Sequence, residues 1–135
     1  MTQKAAAKAP DLVEQLKQDY ARFPENQTYS LYAADVRFKD PMYEFQVVDR
    51  YRKMIDFLSK FFSNIQMDLH GIEQTSSALI STQWTLHMDA PLPWSSRLAI
   101  PGRSELGVND DGLISSHIDY WNCSKFAVLK QVFGG

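Results

Sequence analysis

The chain has 135 residues, the length of one domain, and its 44% apolar and 22% charged residues are typical of a globular protein. Fourteen basic against sixteen acidic residues give a net charge of −2, which argues against a broad electrostatic nucleic-acid binder. The single cysteine, Cys123, excludes an internal disulfide, and no apolar run approaches the ~20 residues of a spanning helix. We therefore expect a soluble, cytoplasmic domain with no nucleic-acid partner and no membrane partner.

The first part of the chain predicts a tail followed by a helix. Residues 1–10 contain two lysines and several alanines but no apolar stretch, so we expect a flexible tail rather than a secretory signal. A helix is predicted over Asp11–Phe23, because Leu12, Leu16 and Tyr20 recur every four residues. The proline that follows ends it.

The next segment predicts a short helix over Thr28–Ala33, a short strand over Val36–Asp40 and then the strongest helix of the chain, over Asp49–Ser63. In that helix the apolar residues follow the i, i+3, i+4, i+7 pattern of one buried face. They are Tyr51, Met54, Ile55, Leu58, Phe61 and Phe62.

After Asn64 the apolar period changes from 3.6 to 2, which predicts strands. Four are expected as an antiparallel meander: Ile65–Gln74, Ala78–Met88, Arg97–Asn109 and Leu113–Trp121. Gly112 suits a turn that needs positive φ, and residues 123–133 could form a short helix or an extended tail. Helices followed by strands indicate an α+β fold, with residues 11–135 as a single domain.

Three motifs carry a resemblance to a known superfamily. They are a segment Tyr32–Pro41 that ends in Asp-Pro, a strand Gly102–Asn109 followed by an Asp-Gly turn, and a last strand His117–Asn122. In this order they resemble the nuclear transport factor 2-like, or SnoaL-like, superfamily, and within it an uncharacterised branch from photosynthetic organisms. The resemblance covers most of the chain. It implies a cone-shaped fold, with N-terminal helices on a strongly curved antiparallel sheet, a pocket at the open end, and a homodimer formed through the outer sheet face.

The last strand holds the sharpest candidates for chemistry. Alternation places Ser115, His117, Asp119 and Trp121 on one face and Ile114, with its even-numbered neighbours, on the other. A carboxylate buried among apolar groups is suited to acid–base work. The resemblance implies the same role for Asp119, which matches an aspartate of limonene epoxide hydrolases and SnoaL-type cyclases. The alternative is that Asp119 and His117 pair with neighbouring strands or face water.

Asp40, before Pro41, is the second candidate. It resembles the Asp-Pro aspartate that acts as the base in ketosteroid isomerases, although an aspartate before proline is also a common turn starter. Tyr20 or Tyr43 could supply a phenol opposite it. An epoxide hydrolase is disfavoured, because the Arg-x-Asp pair of those enzymes has no counterpart around Trp84.

The remaining polar and aromatic residues have simpler interpretations. Arg103 and Glu105 predict a cross-strand salt bridge. Trp84, Trp94 and Trp121 could line the pocket, although tryptophan is more often part of a core. The histidines lack metal-ligand spacing, and the chain has no phosphate-binding loop, so no metal and no cofactor are predicted.

Three functions remain open at this point. The leading one is a small-molecule-binding domain whose apolar ligand is oriented by Asp119, His117, Asp40 and the aromatic residues. The second is a cofactor-independent proton-transfer enzyme, of isomerase, cyclase or dehydratase type, that uses Asp119 or Asp40 as its base and His117 or a tyrosine as its acid. The third is a protein-interaction module. The fold alone does not decide whether the chain is an enzyme.

Overall fold

The computed structural model describes residues 2–94 and 96–133, and within them the chain forms three α-helices and one six-stranded sheet. The helices are α1 (Thr2–Arg22), α2 (Val48–Phe61) and α3 (Lys125–Val132), and a 3-10 turn spans Tyr29–Leu31. The strands are β1 (Tyr32–Lys39), β2 (Glu44–Gln46), β3 (Ser63–Ser76), β4 (Leu79–Asp89), β5 (Arg97–Val108) and β6 (Ile114–Trp121).

The first helix begins at Thr2, well before the predicted start at Asp11. The backbone of residues 2–10, expected to be a tail, is therefore helical. Four of these residues are alanines, the strongest helix formers. The prediction of a tail relied on the absence of an apolar face and underestimated this helix propensity. The predicted buried face is confirmed, since Leu12 and Leu16 are buried in the core.

The sheet has the strand order β2-β1-β6-β5-β4-β3. Strands β3 to β6 form the predicted antiparallel meander. Strand β1 lies beside β6 and runs parallel to it, so the sheet is mixed rather than wholly antiparallel. These two strands are joined through α2 and the meander, and no tight turn fixes their relative direction.

The segment before α2 is more extended than predicted. The expected helix over Thr28–Ala33 shrinks to the 3-10 turn, and β1 begins at Tyr32 rather than at Val36. Strand β2 was not predicted; it pairs antiparallel with β1, and the Arg37 guanidinium lies 2.6 Å from the Glu44 carboxylate. A three-residue strand is too short to show a period of 2.

A β-bulge in β6 changes which side chains face the interior. The register with β5 moves from Gly107–Ser116 to Val108–Ile114, so Ser115 has no partner of its own. Beyond the bulge the alternation is shifted by one residue. Ile114, predicted to point away from His117, is consequently buried on the same side of the sheet.

The C-terminal residues form the helical alternative, α3, which packs against β5. The Gln131 side chain fixes it there: its Oε1 accepts from the Ala99 N–H at 2.7 Å, and its Nε2 donates to the Ala99 carbonyl at 3.1 Å. The turn at Gly112 is confirmed, with φ of 77°.

The helices pack on the sheet through separate apolar clusters. At one end Leu12 and Leu16 of α1 meet residues of four strands: Val36, Ile80, Leu106 and Ile114. Near α3 a second cluster contains Trp84, Met88, Leu98 and Ile100. A cavity lies between α1, α2 and the inner sheet face. Among the described residues, no helix is long and apolar enough to span a bilayer.

Candidate functional site

The cavity has a volume of about 710 Å³, within the range of about 300–1,000 Å³ typical of small-molecule sites. Helix α1 contributes Leu16 and Tyr20, α2 contributes Tyr51 and Ile55, and strands β4 to β6 supply its floor. Most of the lining side chains are aromatic or aliphatic. An apolar wall of this kind favours a ligand with a largely apolar body.

One wall carries a hydrogen-bonded polar group, which we call the Asp119 cluster: Trp84, Ser104, His117 and Asp119. The Asp119 Oδ1 accepts from the Ser104 hydroxyl at 2.5 Å and from His117 Nε2 at 2.8 Å. The Trp84 indole N–H donates to the Ser104 hydroxyl at 2.9 Å. Since Ser104 and Asp119 are direct cross-strand partners, the sheet register itself assembles the cluster.

The imidazole of His117 is held by aromatic rings as well as by Asp119. Its ring centroid lies 4.8 Å from that of Phe38, 5.5 Å from Tyr51 and 6.3 Å from Tyr32. Within the described part of the chain, the buried Nδ1 has no hydrogen-bond partner. The imidazole is thereby held in one orientation, with its Nε2 toward Asp119.

Three phenols line the same space, those of the buried Tyr51 and of the half-buried Tyr20 and Tyr32. Burial raises the pKa of Tyr20 and of Tyr32 above the ordinary range, and burial together with the neighbouring Tyr32 phenol raises the pKa of Tyr51 well above it. All three therefore remain neutral hydroxyls at neutral pH. The Tyr20 hydroxyl is hydrogen-bonded to that of Thr82 at 2.8 Å.

Asp40 both starts a turn and lines the cavity. Its Oδ1 accepts from the backbone N–H groups of Met42 at 2.7 Å and Tyr43 at 2.6 Å, so the side chain does start a turn. It also lines the cavity together with Asp119. Burial raises the pKa of Asp40, and the nearby charge of Asp119 adds to the effect.

The predicted aromatic residues separate into two groups. Trp84, a member of the Asp119 cluster, and Trp121 line the cavity, and Tyr43 lies at its mouth with 60% of its surface exposed. Trp94 lies elsewhere: it is 54% exposed, and its indole N–H donates to the Val132 carbonyl of α3 at 2.9 Å. The proline-rich connection after β4 carries it along the outside of the fold.

The predicted cross-strand salt bridge is wrong in its geometry. Arg103 pairs with Glu105 along β5 itself, with Nη1 and Oε2 3.1 Å apart. The cross-strand partner of Arg103 is Tyr120, whose ring lies 4.0 Å below the guanidinium. Both charged residues share the outer face because they are two positions apart in one strand.

Sequence reasoning missed several residues of the cavity lining. Ser104, Tyr32 and Tyr51 were not singled out for it, and neither was Asp19. Asp19 is buried and accepts from the Thr28 backbone N–H at 2.9 Å and from Arg22 at 2.7 Å. Its spacing of three from Leu16 would have placed it on the buried face of α1. No set of three or more potential metal-ligating side chains comes together in the described residues.

Solved structures show what fold this is. A hypothetical protein with a ketosteroid isomerase-like fold from Catenulispora acidiphila, in complex with trimethylamine, is similar at a TM-score of 0.73 and 16% identity, over 92% of this chain and 93% of that one. A candidate SnoaL-like polyketide cyclase from Shewanella putrefaciens gives 0.66 and 13%, over 96% of both chains. An NTF2-like protein from Anabaena variabilis gives 0.65 and 12%, over 90% and 91%.

These likenesses confirm the predicted α+β, NTF2-like and SnoaL-like fold. The chain belongs to the family described as an uncharacterized conserved protein (DUF2358), whose model matches residues 10–117. No curated protein matches the sequence.

Proposed function

We propose that the protein binds a small, largely apolar molecule in the cavity and that the Asp119 cluster contacts a polar group of this ligand. The observation that carries the proposal is the combination of a cavity of about 710 Å³, mostly apolar, with one hydrogen-bonded polar group on its wall. Small-molecule sites commonly have this composition, in which apolar walls supply affinity and few polar groups supply orientation.

The free oxygen of Asp119 supports a direct contact with the ligand. Its Oδ1 already accepts two hydrogen bonds, whereas its Oδ2 accepts none from the described side chains and backbone. A ligand hydroxyl or amine could donate to Oδ2 without breaking the cluster. The trimethylamine complex of the Catenulispora acidiphila protein supports small-ligand binding by this fold.

A thermal-shift screen tests the proposal. We expect compounds that stabilise the wild type to stabilise Asp119→Asn much less, because the amide oxygen would be held by Ser104 and His117 and an NH2 donor would replace the Oδ2 acceptor. Asp111→Asn, in the exposed turn between β5 and β6, is the matched control and should respond like the wild type. Leu86→Trp, which would fill the cavity from β4, should abolish the shifts.

Equal shifts in all four proteins would place the binding outside the cavity and contradict the proposal. A compound that stabilises the wild type and Asp119→Asn equally, but not Leu86→Trp, would keep the cavity as the site and remove Asp119 as the ligand contact.

A proton-transfer enzyme is the second candidate. It is favoured because the cavity lining includes the carboxylates of Asp40 and Asp119 besides that of Asp19, the imidazole of His117, and phenols that stay neutral. Asp119 or Asp40 would take a proton from carbon next to a carbonyl, and His117 or Tyr20 would donate to the oxygen. Incubation with a panel of ketones in deuterated water would show enzyme-dependent deuterium uptake that Asp119→Asn and Asp40→Asn reduce. Uptake no faster than in buffer for the whole panel would contradict this candidate.

The third alternative, an interaction module, has less support, because such a module would be expected to fill its cone with side chains. The cavity between α1, α2 and the sheet argues instead for a small ligand.

We further propose that the protein is a homodimer formed through the outer sheet face, where Tyr120 is partly exposed. Light scattering that shows only monomer at micromolar concentration would contradict this. The expected cytoplasmic location is tested by cell fractionation. The expected origin in photosynthetic organisms is tested by the distribution of this family among genomes.

A further inference from the structure

The mouth of the cavity is surrounded by exposed apolar side chains, which we call the rim: Met42, Tyr43, Phe57 and Phe61. Their exposed fractions are 56%, 60%, 52% and 52%, and all four also line the cavity. Large apolar side chains that remain exposed together, at the entrance of an apolar cavity, mark an interaction surface more often than scattered ones do.

Helix α2 presents half of this rim as a rigid ridge. Phe57 and Phe61 are four residues apart and stack, with ring centroids 4.9 Å apart and planes at 19°. On another side of the helix, Tyr51 and Ile55 are buried in a cluster with Phe38 of β1. The ridge is therefore held outward by the packing of the helix rather than by a chance side-chain rotamer.

Helix α2 places basic residues beside the rim. Arg50 and Lys53 are exposed and line the cavity mouth from α2. The helix as a whole carries four basic residues and two acidic ones, although the chain has a net charge of −2. An exposed apolar ridge flanked by cations is complementary to a surface that combines negative head groups with an apolar interior.

We propose that the rim docks on a bilayer containing anionic phospholipid, so that the cavity takes its apolar ligand from the membrane or delivers it there. This inference rests on the proposed small-molecule binding. The expectation of no membrane partner depended on the lack of a spanning segment, and a docked rim needs none. A protein partner fits less well, because protein interfaces place their strongest contacts at the centre, and the centre of this surface is an opening.

Vesicle sedimentation tests the docking, with vesicles of phosphatidylcholine alone and of phosphatidylcholine with about one-third phosphatidylserine. We expect the wild type to bind the anionic vesicles and not the neutral ones. The double variant Phe57→Ser/Phe61→Ser should lose at least about tenfold in affinity, because two aromatic rings no longer enter the lipid. Lys53→Glu should lose at least about fivefold. Phe126→Ser, which removes an exposed aromatic residue of α3 outside the rim, should bind like the wild type.

Several results would overturn the docking: no binding to either vesicle, equal binding to both, or a double variant that binds like the wild type. A dimer in light scattering that the double variant converts to monomer would show that a second copy covers the rim, and would also overturn it. The thermal-shift screen with water-soluble compounds separates the two proposals. If the double variant still responds to compounds that Leu86→Trp does not bind, the cavity proposal stands whatever the vesicles show.

Discussion

Gly102 lies so close to two neighbouring residues that a side chain at this position would clash with both. It lies in β5 opposite Trp84, and a Cβ added there would be 2.5 Å from the Cη2 of Trp84 and 2.8 Å from the backbone carbonyl oxygen of Tyr120. The backbone oxygen cannot move without distorting β6, so in Gly102→Ala the indole must shift. Overpacking of this kind costs about 1–3 kcal/mol.

The shift of the indole should also break the hydrogen bond from Trp84 to Ser104, which contributes about 0.5–1.5 kcal/mol. Together the two effects predict that Gly102→Ala lowers the free energy of unfolding by roughly 1.5–4.5 kcal/mol, a large part of the ~5–15 kcal/mol of a typical domain. Urea denaturation followed by circular dichroism measures it. Because Trp84 belongs to the Asp119 cluster, ligand-induced thermal shifts should fall as well.

Gly107→Ala is the matched control in the same strand. A Cβ there meets the side-chain oxygen of Ser116, which can rotate away, and otherwise lies 3.6 Å or more from its neighbours. We expect a change within about 1 kcal/mol. If Gly102→Ala is as stable as the wild type, or if the two variants lose the same amount, the close packing of Trp84 on Gly102 is refuted.

Three further predictions concern single polar groups. Burial raises the pKa of Asp40, so its stabilising contribution is fully present below the ordinary value of about 3.9 and is lost as pH rises through the raised pKa. Asp40→Asn should therefore gain stability relative to the wild type as pH rises from acid to neutral, and parallel stability–pH curves would contradict this. Tyr20→Phe leaves the fully buried Thr82 hydroxyl unpaired and should cost about 1–3 kcal/mol by urea denaturation; no loss would show that the bond is unimportant. Asp19→Ala removes the acceptor of the Thr28 backbone N–H and should cost a similar ~1–3 kcal/mol, and an unchanged midpoint would refute that role.

The elements that sequence predicted well are those with many apolar residues in a regular period. Helix α2 contains five of the six predicted residues, although Phe61, predicted on the buried face, is 52% exposed, and the inward set of β4 runs from Ile80 to Met88. The failures lie where no such period is present. The bulge at Ser115 adds a residue without any change in composition, and β2 is too short to show a period. The parallel pairing of β1 with β6 depends on the whole topology and leaves no local pattern.

For the candidate site, the sequence could predict which residues share one face of a strand, but not which residues of different strands are in contact. Alternation put His117 and Asp119 on one side of β6, and the structure brings them within 2.8 Å. Ser104 belongs to another strand, and its contact with Asp119 depends on a cross-strand register that one sequence does not reveal. The predicted pocket role of Trp94 depended on residue type alone, which does not indicate the side of the fold on which a loop runs.

A crystal structure of the protein with the compound that gives the largest thermal shift tests small-molecule binding most directly. We expect density for the compound inside the cavity between α1, α2 and the sheet, with a polar atom within hydrogen-bond distance of the Asp119 carboxylate. A cavity closed by its own aromatic side chains, with the compound bound on the surface, would contradict the proposed function.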